Sequence, residues 1–410
     1  MIREKQKPIV VVGGGISGVT AAIELAEAGR EVILVEEQPY LGGNVAKMNN
    51  YFPKLCPPSC GLEINFRRIR QNPRIKIFTS SVVIAISGEK GDFRLQVKTA
   101  SQLVKNCCTA CGECVKVCPE ERPDAFNYNF SNTKAIFLPH EMAFPMKYSI
   151  DELYCRKEAC SKCVEVCPYD AIDFRAKEEL TEISASAIVV ATGWHNYNAG
   201  KLETMNYNAS QDIVTNVEFE RLLAPNGPGQ GTLHRPSDKA VPKEIVFVQC
   251  AGSRDENYLP YCSAVCCSAS LKHALTIRER LPDCIIRIFY IDLRVSGRNE
   301  DFLNRVKEHK NILLIKGKVG KVEVDSQTKK LIVEAEDILK GVKEKYNADM
   351  VVLATGIVPN KFSDTVALNE FGFMTGDQQA GIFAVSCSKK PMDVSSSVKE
   401  ATAAAMKAIQ

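Results

Sequence analysis

Seventeen of the 410 residues are cysteine, and twelve of these fall into three groups. The first run is Cys108-x2-Cys111-x2-Cys114-x3-Cys118-Pro119 and the second is Cys155-x4-Cys160-x2-Cys163-x3-Cys167-Pro168. The third group is Cys250-x11-Cys262-x3-Cys266-Cys267. Each brings four soft thiolate ligands within reach of one centre, the ligand set of a [4Fe–4S] cluster. Zinc suits the third group less well, because its paired ligands normally have two residues between them and Cys266-Cys267 are adjacent, and in the two runs the third and fourth cysteines and the following prolines speak against it. In folds holding two clusters, the fourth cysteine of each run ligates the other cluster. One centre is therefore expected on Cys108, Cys111, Cys114 and Cys167, and the other on Cys155, Cys160, Cys163 and Cys118. The x4 gap after Cys155 departs from the usual x2, and Cys107 is left as a spare thiol.

A second constellation opens the chain. The apolar stretch Ile9–Val12 leads into Gly13, Gly15 and Gly18 in G-x-G-x-x-G spacing, and a helical pattern runs from Ile16 to Ala28 before Gly29. A further apolar stretch ends at Glu36, and Gly42-Gly43 follows. Strand, glycine turn, helix and a distal acidic residue form a site for an adenosine dinucleotide. Gly13 makes the tight turn, Gly15 lets the pyrophosphate approach the helix N-terminus, Gly18 permits close packing and Glu36 binds the ribose.

Composition limits what can surround these sites. Hydrophobic residues make up 45% and charged residues 25%, with a net charge of +3 and no long basic run, so a packed fold is expected and nucleic acid is not. No apolar stretch approaches the roughly 18 residues of a membrane span. The charged segment Met1–Pro8 lacks the features of a secretory signal, which gives an expected cytoplasmic location. Cysteines held in a reducing compartment point again to metal or redox chemistry. The Gly-, Pro- and Ser-rich segment Asn226–Val241 reads as a surface loop and Lys340–Lys345 as a hairpin turn or a solvated face. Cys284 reads as core. Cys56 and Cys60 leave three readings open: a redox pair, a contribution to a partner's centre, or buried thiols. No hydrolytic or phosphoryl-transfer motif occurs.

The two cysteine runs resemble bacterial ferredoxins. The segments Ala187–Gly193 and Met350–Gly356 (AIVVATG and MVVLATG) resemble paired elements of the two-dinucleotide-domain flavoproteins that include thioredoxin reductase. That likeness implies FAD at the N-terminal site, with Thr192, Gly193, Thr355, Gly356 and Cys387 added to its binding residues; Ser386-Cys387 stands where that family usually has Gly-Asp. The matching nicotinamide position, after Glu244–Gln249, carries the third cysteine group in place of a glycine loop, so an NAD(P)H site is not expected. The predicted fold class is α/β, a thioredoxin reductase-like flavoprotein with an inserted two-cluster ferredoxin module. The predicted domains are 1–100, 181–240 and 346–410 for FAD binding, 101–180 for the ferredoxin insert, and 241–345 for a second Rossmann-like domain.

All these features together resemble the flavin-bearing A subunits of the heterodisulfide reductases. Chain length and the run Lys54–Asn65 (KLCPPSCGLEIN) resemble, within that group, the quinone-interacting membrane-bound oxidoreductases of sulfate reducers. The resemblance implies FAD and three [4Fe–4S] clusters, a further subunit with its own flavin and iron–sulfur centres, a membrane subunit bearing haem, and adenylylsulfate reductase as acceptor. Electrons would pass between menaquinol and that acceptor at the inner face of the membrane, with splitting or merging of electron pairs at the flavin. A soluble heterodisulfide reductase component fed by a hydrogenase or formate dehydrogenase is the alternative. The resemblance also gives Lys272, a solvated lysine by spacing alone, a place beside the flavin. About twelve iron atoms and one FAD per chain are expected from anaerobic iron, sulfide and flavin quantification; about eight iron would demote Cys250, Cys262, Cys266 and Cys267 to structural thiols.

Overall fold

The computed structural model describes residues 6–363, 365–376 and 378–410; the first five residues of the charged N-terminal segment lie outside these. The chain divides into two compact units. The first comprises the stretch up to Ala46, Pro58–Trp194 and the chain from Pro359 onward, and the second comprises Lys47–Pro57 and His195–Val358.

The first unit is built on a five-stranded parallel sheet in the order Ile382–Ala384, Ala187–Val190, Ile9–Val12, Val32–Val35, Ile75–Phe78. Its central strands are apolar along their whole length because a parallel sheet is covered on both faces. Helix Ile16–Glu27 covers one face together with helix Val394–Ile409, whose N-cap Asp393 accepts from the Ser396 N–H at 2.7 Å. That helix starts four residues earlier than its apolar pattern, from Val398, indicates, because Asp393 caps it.

A three-stranded antiparallel sheet, Ser81–Glu89, Asp92–Thr99 and Glu179–Ala185, carries the insert. Thr99 pairs directly with Glu179, so the chain leaves and re-enters at adjacent strand ends, and the insert between them packs on the rest of the first unit through Phe126 against Tyr40 and Phe144 against Phe66. The insert has its own small core of Val104, Cys114, Ile136, Tyr148, Cys163 and Ile172.

The second unit holds a seven-stranded sheet in the order Ile213–Thr215, Met350–Thr355, Glu244–Ala251, Ile285–Tyr290, Ile312–Val324, Leu331–Asp337, Val342–Ala348. The first five strands are mutually parallel and the last two close it as antiparallel hairpins. Gly341, with φ +68°, turns the final hairpin inside the expected Lys340–Lys345 segment. Met350–Thr355, read from sequence as opening the closing FAD segment at 346, instead lies between Ile213–Thr215 and Glu244–Ala251, and the first unit resumes only at Pro359.

Helix Asn216–Leu223 begins with a capping box, in which the Thr215 side chain and Glu218 satisfy each other's backbone N–H groups. Thr215→Ala is expected to cost about 1 kcal/mol of stability, measured by denaturant unfolding, since it removes one half of that reciprocal cap.

Candidate functional site

At the dinucleotide loop, two of the three glycines are required by backbone contacts and the third borders open space. Gly13 has φ +102°, and a Cβ there would sit 2.3 Å from the Ala191 carbonyl oxygen. A Cβ on Gly18 would lie 1.7 Å from the Gly13 carbonyl oxygen, whereas one on Gly15 would meet nothing within 4 Å. The open space thus falls at the glycine that caps helix Ile16–Glu27. That helix has no capping side chain and no acidic residue in its first turn, so its positive end is left for an anion. The Gly42 N–H donates to the Gly14 carbonyl at 2.8 Å, which folds the Gly42-Gly43 turn onto the first loop.

Glu36 is buried, and its carboxylate accepts from the Gly14 N–H at 2.5 Å and the Gln38 N–H at 2.7 Å. Burial pushes its pKa up against those two hydrogen bonds. Across the sheet, the Asn360 side chain donates to the Thr192 carbonyl at 2.8 Å, and Gly193 adopts φ +70°. The Thr192 hydroxyl is buried without a hydrogen-bond partner. An open cradle at Gly15, an uncapped helix end and an orphaned hydroxyl fit an adenosine dinucleotide such as FAD. Cys387 is buried with its thiol donating to the Met392 carbonyl at 3.5 Å, so this position offers its backbone rather than its side chain. Thr355 and Gly356 belong to the second unit, where the Thr355 carbonyl accepts from the Cys266 thiol at 3.6 Å.

In the insert the two runs adopt the same local geometry. Gly112 (φ +86°) and Ser161 (φ +53°) are the left-handed N-caps of the short helices Glu113–Val117 and Lys162–Glu165, which place Cys114 and Cys163 in equivalent inner positions. Cys108, Cys111, Cys114 and Cys167 line one pocket, open to solvent at its mouth. The fourth thiol therefore comes from the other run. Cys163 is in turn electrostatically coupled to Cys155, Cys118 and Cys160. Burial, reinforced by neighbouring thiols, pushes Cys114 up to about 12 and Cys163 up to about 11. Cys107 is exposed, with its thiol toward the Tyr169 carbonyl at 3.6 Å.

The third group assembles where strand Glu244–Ala251 ends and helix Cys266–Arg280 begins, at the carboxyl edge of the parallel strands. Both members of the Cys266-Cys267 pair stand in the first turn of this helix. Burial pushes the Cys266 thiol up, with Cys267, Cys250 and Cys262 adding to the effect. The loop backbone is strained at Cys250 (φ +56°), Arg254 (φ +58°) and Ala264 (φ +61°), conformations that non-glycine residues keep only where the surroundings impose them. Arg254, paired with Asp292, hydrogen-bonds the Cys250 thiol, and the Arg294 N–H faces Cys267. Sequence spacing carries no sign of these arginines. Among the described residues no three side chains are closed around a single-ion site; a cubane is a cage with one thiolate at each of four separated irons.

Lys272 is buried, and its ammonium donates to the Asn50 carbonyl and a Glu220 carboxylate oxygen, both at 2.7 Å. Glu220 also accepts from the Asn49 N–H at 2.7 Å and meets His273 Nε2. Burial pushes the Glu220 pKa up, but the charges and hydrogen bonds of Lys272 and His273 overcome it and hold the carboxyl well below the usual range. Glu220 follows Phe219 in a short amphipathic helix, and no spacing in the sequence singles it out. Cys284 is buried as expected, with its pKa pushed up to about 12 by burial. Cys56 and Cys60 are both exposed, which removes the buried-thiol reading for them.

Residues 8–106 match the family described as FAD dependent oxidoreductase. The chain is 36% identical over 97% of its length to one of the CoB–CoM heterodisulfide reductase iron–sulfur A subunits of Methanopyrus kandleri, covering 63% of that protein. It is 35% identical over 97% of its length to the A subunit of the ferredoxin:CoB–CoM heterodisulfide reductase of Methanosarcina acetivorans, covering 56% of it. The chain thus spans less than two thirds of these curated relatives. Among solved structures, the thioredoxin reductase of T. acidophilum superposes with a TM-score of 0.56 at 14% identity, over 99% of this chain and 98% of that one. The fold is thioredoxin reductase-like, residues 8–106 match an FAD dependent oxidoreductase domain, and over nearly its whole length the chain is similar to heterodisulfide reductase A subunits.

Glu220→Gln strands the Lys272 ammonium in the core and is expected to destabilise the second unit by about 3 kcal/mol in neutral-pH denaturant unfolding. Because the folded carboxyl is depressed, its contribution is fully present above the unfolded value of 4.5 and is lost as pH falls through the folded one. The carboxyl's part of the difference between wild type and variant is therefore expected to shrink as pH falls below 4.5, while His273, whose pKa Glu220 raises against burial, makes the difference grow between pH 7 and 5.

Proposed function

We propose that the chain is the flavin- and iron–sulfur-bearing electron-transfer component of a larger oxidoreductase, with one FAD and three [4Fe–4S] clusters. The observation that carries this reading is the third thiol group, which occupies the carboxyl edge of the second unit's parallel strands, where a glycine loop for NAD(P)H would otherwise stand. When bound, FAD exchanges electrons in pairs and each cluster passes them singly.

The residues of the chain then have distinct tasks. Gly13, Gly15, Gly18 and the turn Gly42-Gly43 shape the pyrophosphate cradle, Glu36 receives the adenosine ribose, and Thr192 and Gly193 extend the site. The family resemblance adds Thr355, Gly356 and the backbone at Cys387. Cys108, Cys111, Cys114 and Cys167 hold one cluster, Cys118, Cys155, Cys160 and Cys163 a second, and Cys250, Cys262, Cys266 and Cys267 a third. Lys272 has its flavin-facing role from the resemblance alone. Glu220 is what holds the Lys272 ammonium in place in a buried setting, through a hydrogen bond of 2.7 Å.

Two partner settings follow. The names of the relatives favour a heterodisulfide reductase-type complex that exchanges electrons with ferredoxin, a hydrogenase or a formate dehydrogenase. The run Lys54–Asn65 favours the quinone-linked branch, with a further subunit that has its own flavin and iron–sulfur centres, a membrane subunit bearing haem, and adenylylsulfate reductase as acceptor at the inner face of the membrane. No helix among the described residues is long and apolar enough to cross a membrane, so attachment in that setting would come from the partners. Subunits that co-purify from the native cell separate the two. For the electron-transfer reading itself, anaerobic NADPH is expected to leave the flavin absorbance of the loaded protein unchanged, while reduced ferredoxin bleaches it. Rapid bleaching by NADPH would overturn it.

A further inference from the structure

The two cluster sites of the insert have near-identical loops but different electrostatic surroundings. Lys147 is only 8% exposed, yet no carboxylate lies within ion-pairing distance of it among the described residues. Its amine instead faces three neutral oxygens: Gln102 Oε1 at 2.9 Å, Asn106 Oδ1 at 3.0 Å and the Val104 carbonyl at 3.4 Å. Three acceptors match the three N–H bonds of an ammonium, and a neutral amine would leave one unmet. A buried cation without an anion is costly. Burial pushes the Lys147 pKa down, and the one group that acts against it is Cys108, on the rim of the pocket that Cys111, Cys114 and Cys167 also line.

The cations on the other half are already matched. Arg122 faces Asp151 at 3.5 Å, Lys157 pairs with Glu152 at 2.6 Å, and Arg156 pairs with Glu120. Lys157 and Arg156 are also substantially exposed, so solvent screens them. Backbone hydrogen bonds lean the same way. The Ala110 and Ala171 N–H groups point at Cys108 and Cys167 sulfur at 3.4 and 3.3 Å, and the Val115 and Cys114 N–H groups at Cys114, whereas in the other set Cys155 receives the Lys157 N–H at 3.3 Å and Cys163 only its own N–H. Net charge and N–H···S bonds are principal determinants of a cluster's potential, and both favour the more reduced state at the Cys108 set.

We propose that Lys147 is a positioning charge that sets the cluster on Cys108, Cys111, Cys114 and Cys167 at a higher reduction potential than its neighbour. One electron leaving the neighbouring cluster then settles on this one, oxidising the first and reducing the second by one unit. This rests on the two-cluster reading of the insert. The test is an EPR-monitored redox titration of the full, iron-loaded chain, with iron quantified in parallel, for wild type, Lys147→Met and Lys147→Gln. In both variants one cluster's potential is expected to fall by at least the equivalent of a tenfold change in its one-electron equilibrium, about 59 mV, with Lys147→Arg restoring it. Full iron content with both potentials unmoved would overturn the inference, as would loss of iron in both neutral variants, which would make Lys147 a structural pin. Fewer than two clusters in the insert of the wild type would instead overturn the reading beneath it.

Discussion

A thiolate in a low-dielectric interior is unstable unless something positive compensates it, and this chain brings together three groups of four thiols under that constraint. Burial raises the inner thiols Cys114, Cys163 and Cys266 well above the ordinary cysteine value. Thiols so placed would ionise in exchange for metal, and binding there would be coupled to release of protons. The surrounding structure works toward the same end through left-handed loop residues, backbone N–H groups aimed at sulfur, and cations such as Arg254 and Lys147 beside the thiols.

The architecture accommodates these groups without disturbing the sheets that carry them. Because Thr99 and Glu179 are paired neighbours, about 80 residues of insert attach through two adjacent strand ends and keep their own core. The third group uses a different solution. It takes the carboxyl edge of a parallel sheet, where open α/β folds place their ligands, and fills it with side-chain sulfur.

Charge placement in the second unit follows a stricter rule than in the first. Glu220 gathers the Asn49 N–H, Lys272 and His273 around one buried carboxylate, and so ties the segment Lys47–Pro57 to the helix that bears Cys266 and Cys267. Each partner compensates another, so the group tolerates burial that none would tolerate alone.

What could be read directly from the residues was whatever is local along the chain. The glycine turn, Glu36 and the cysteine runs fall within short spans whose spacing is itself the geometry, and the fourth cysteine of each run has its place by a rule of two-cluster folds. Glu220, Lys147, Arg254 and Asn360 left no such trace, because their partners come from distant segments. The clearest division is between AIVVATG and MVVLATG. Alike in sequence, Ala187–Val190 pairs with Ile9–Val12 in the first unit and Met350–Thr355 with Glu244–Ala251 in the second. A wholly apolar parallel strand states that it will be buried on both faces but not beside which strand, and only tertiary packing decides that.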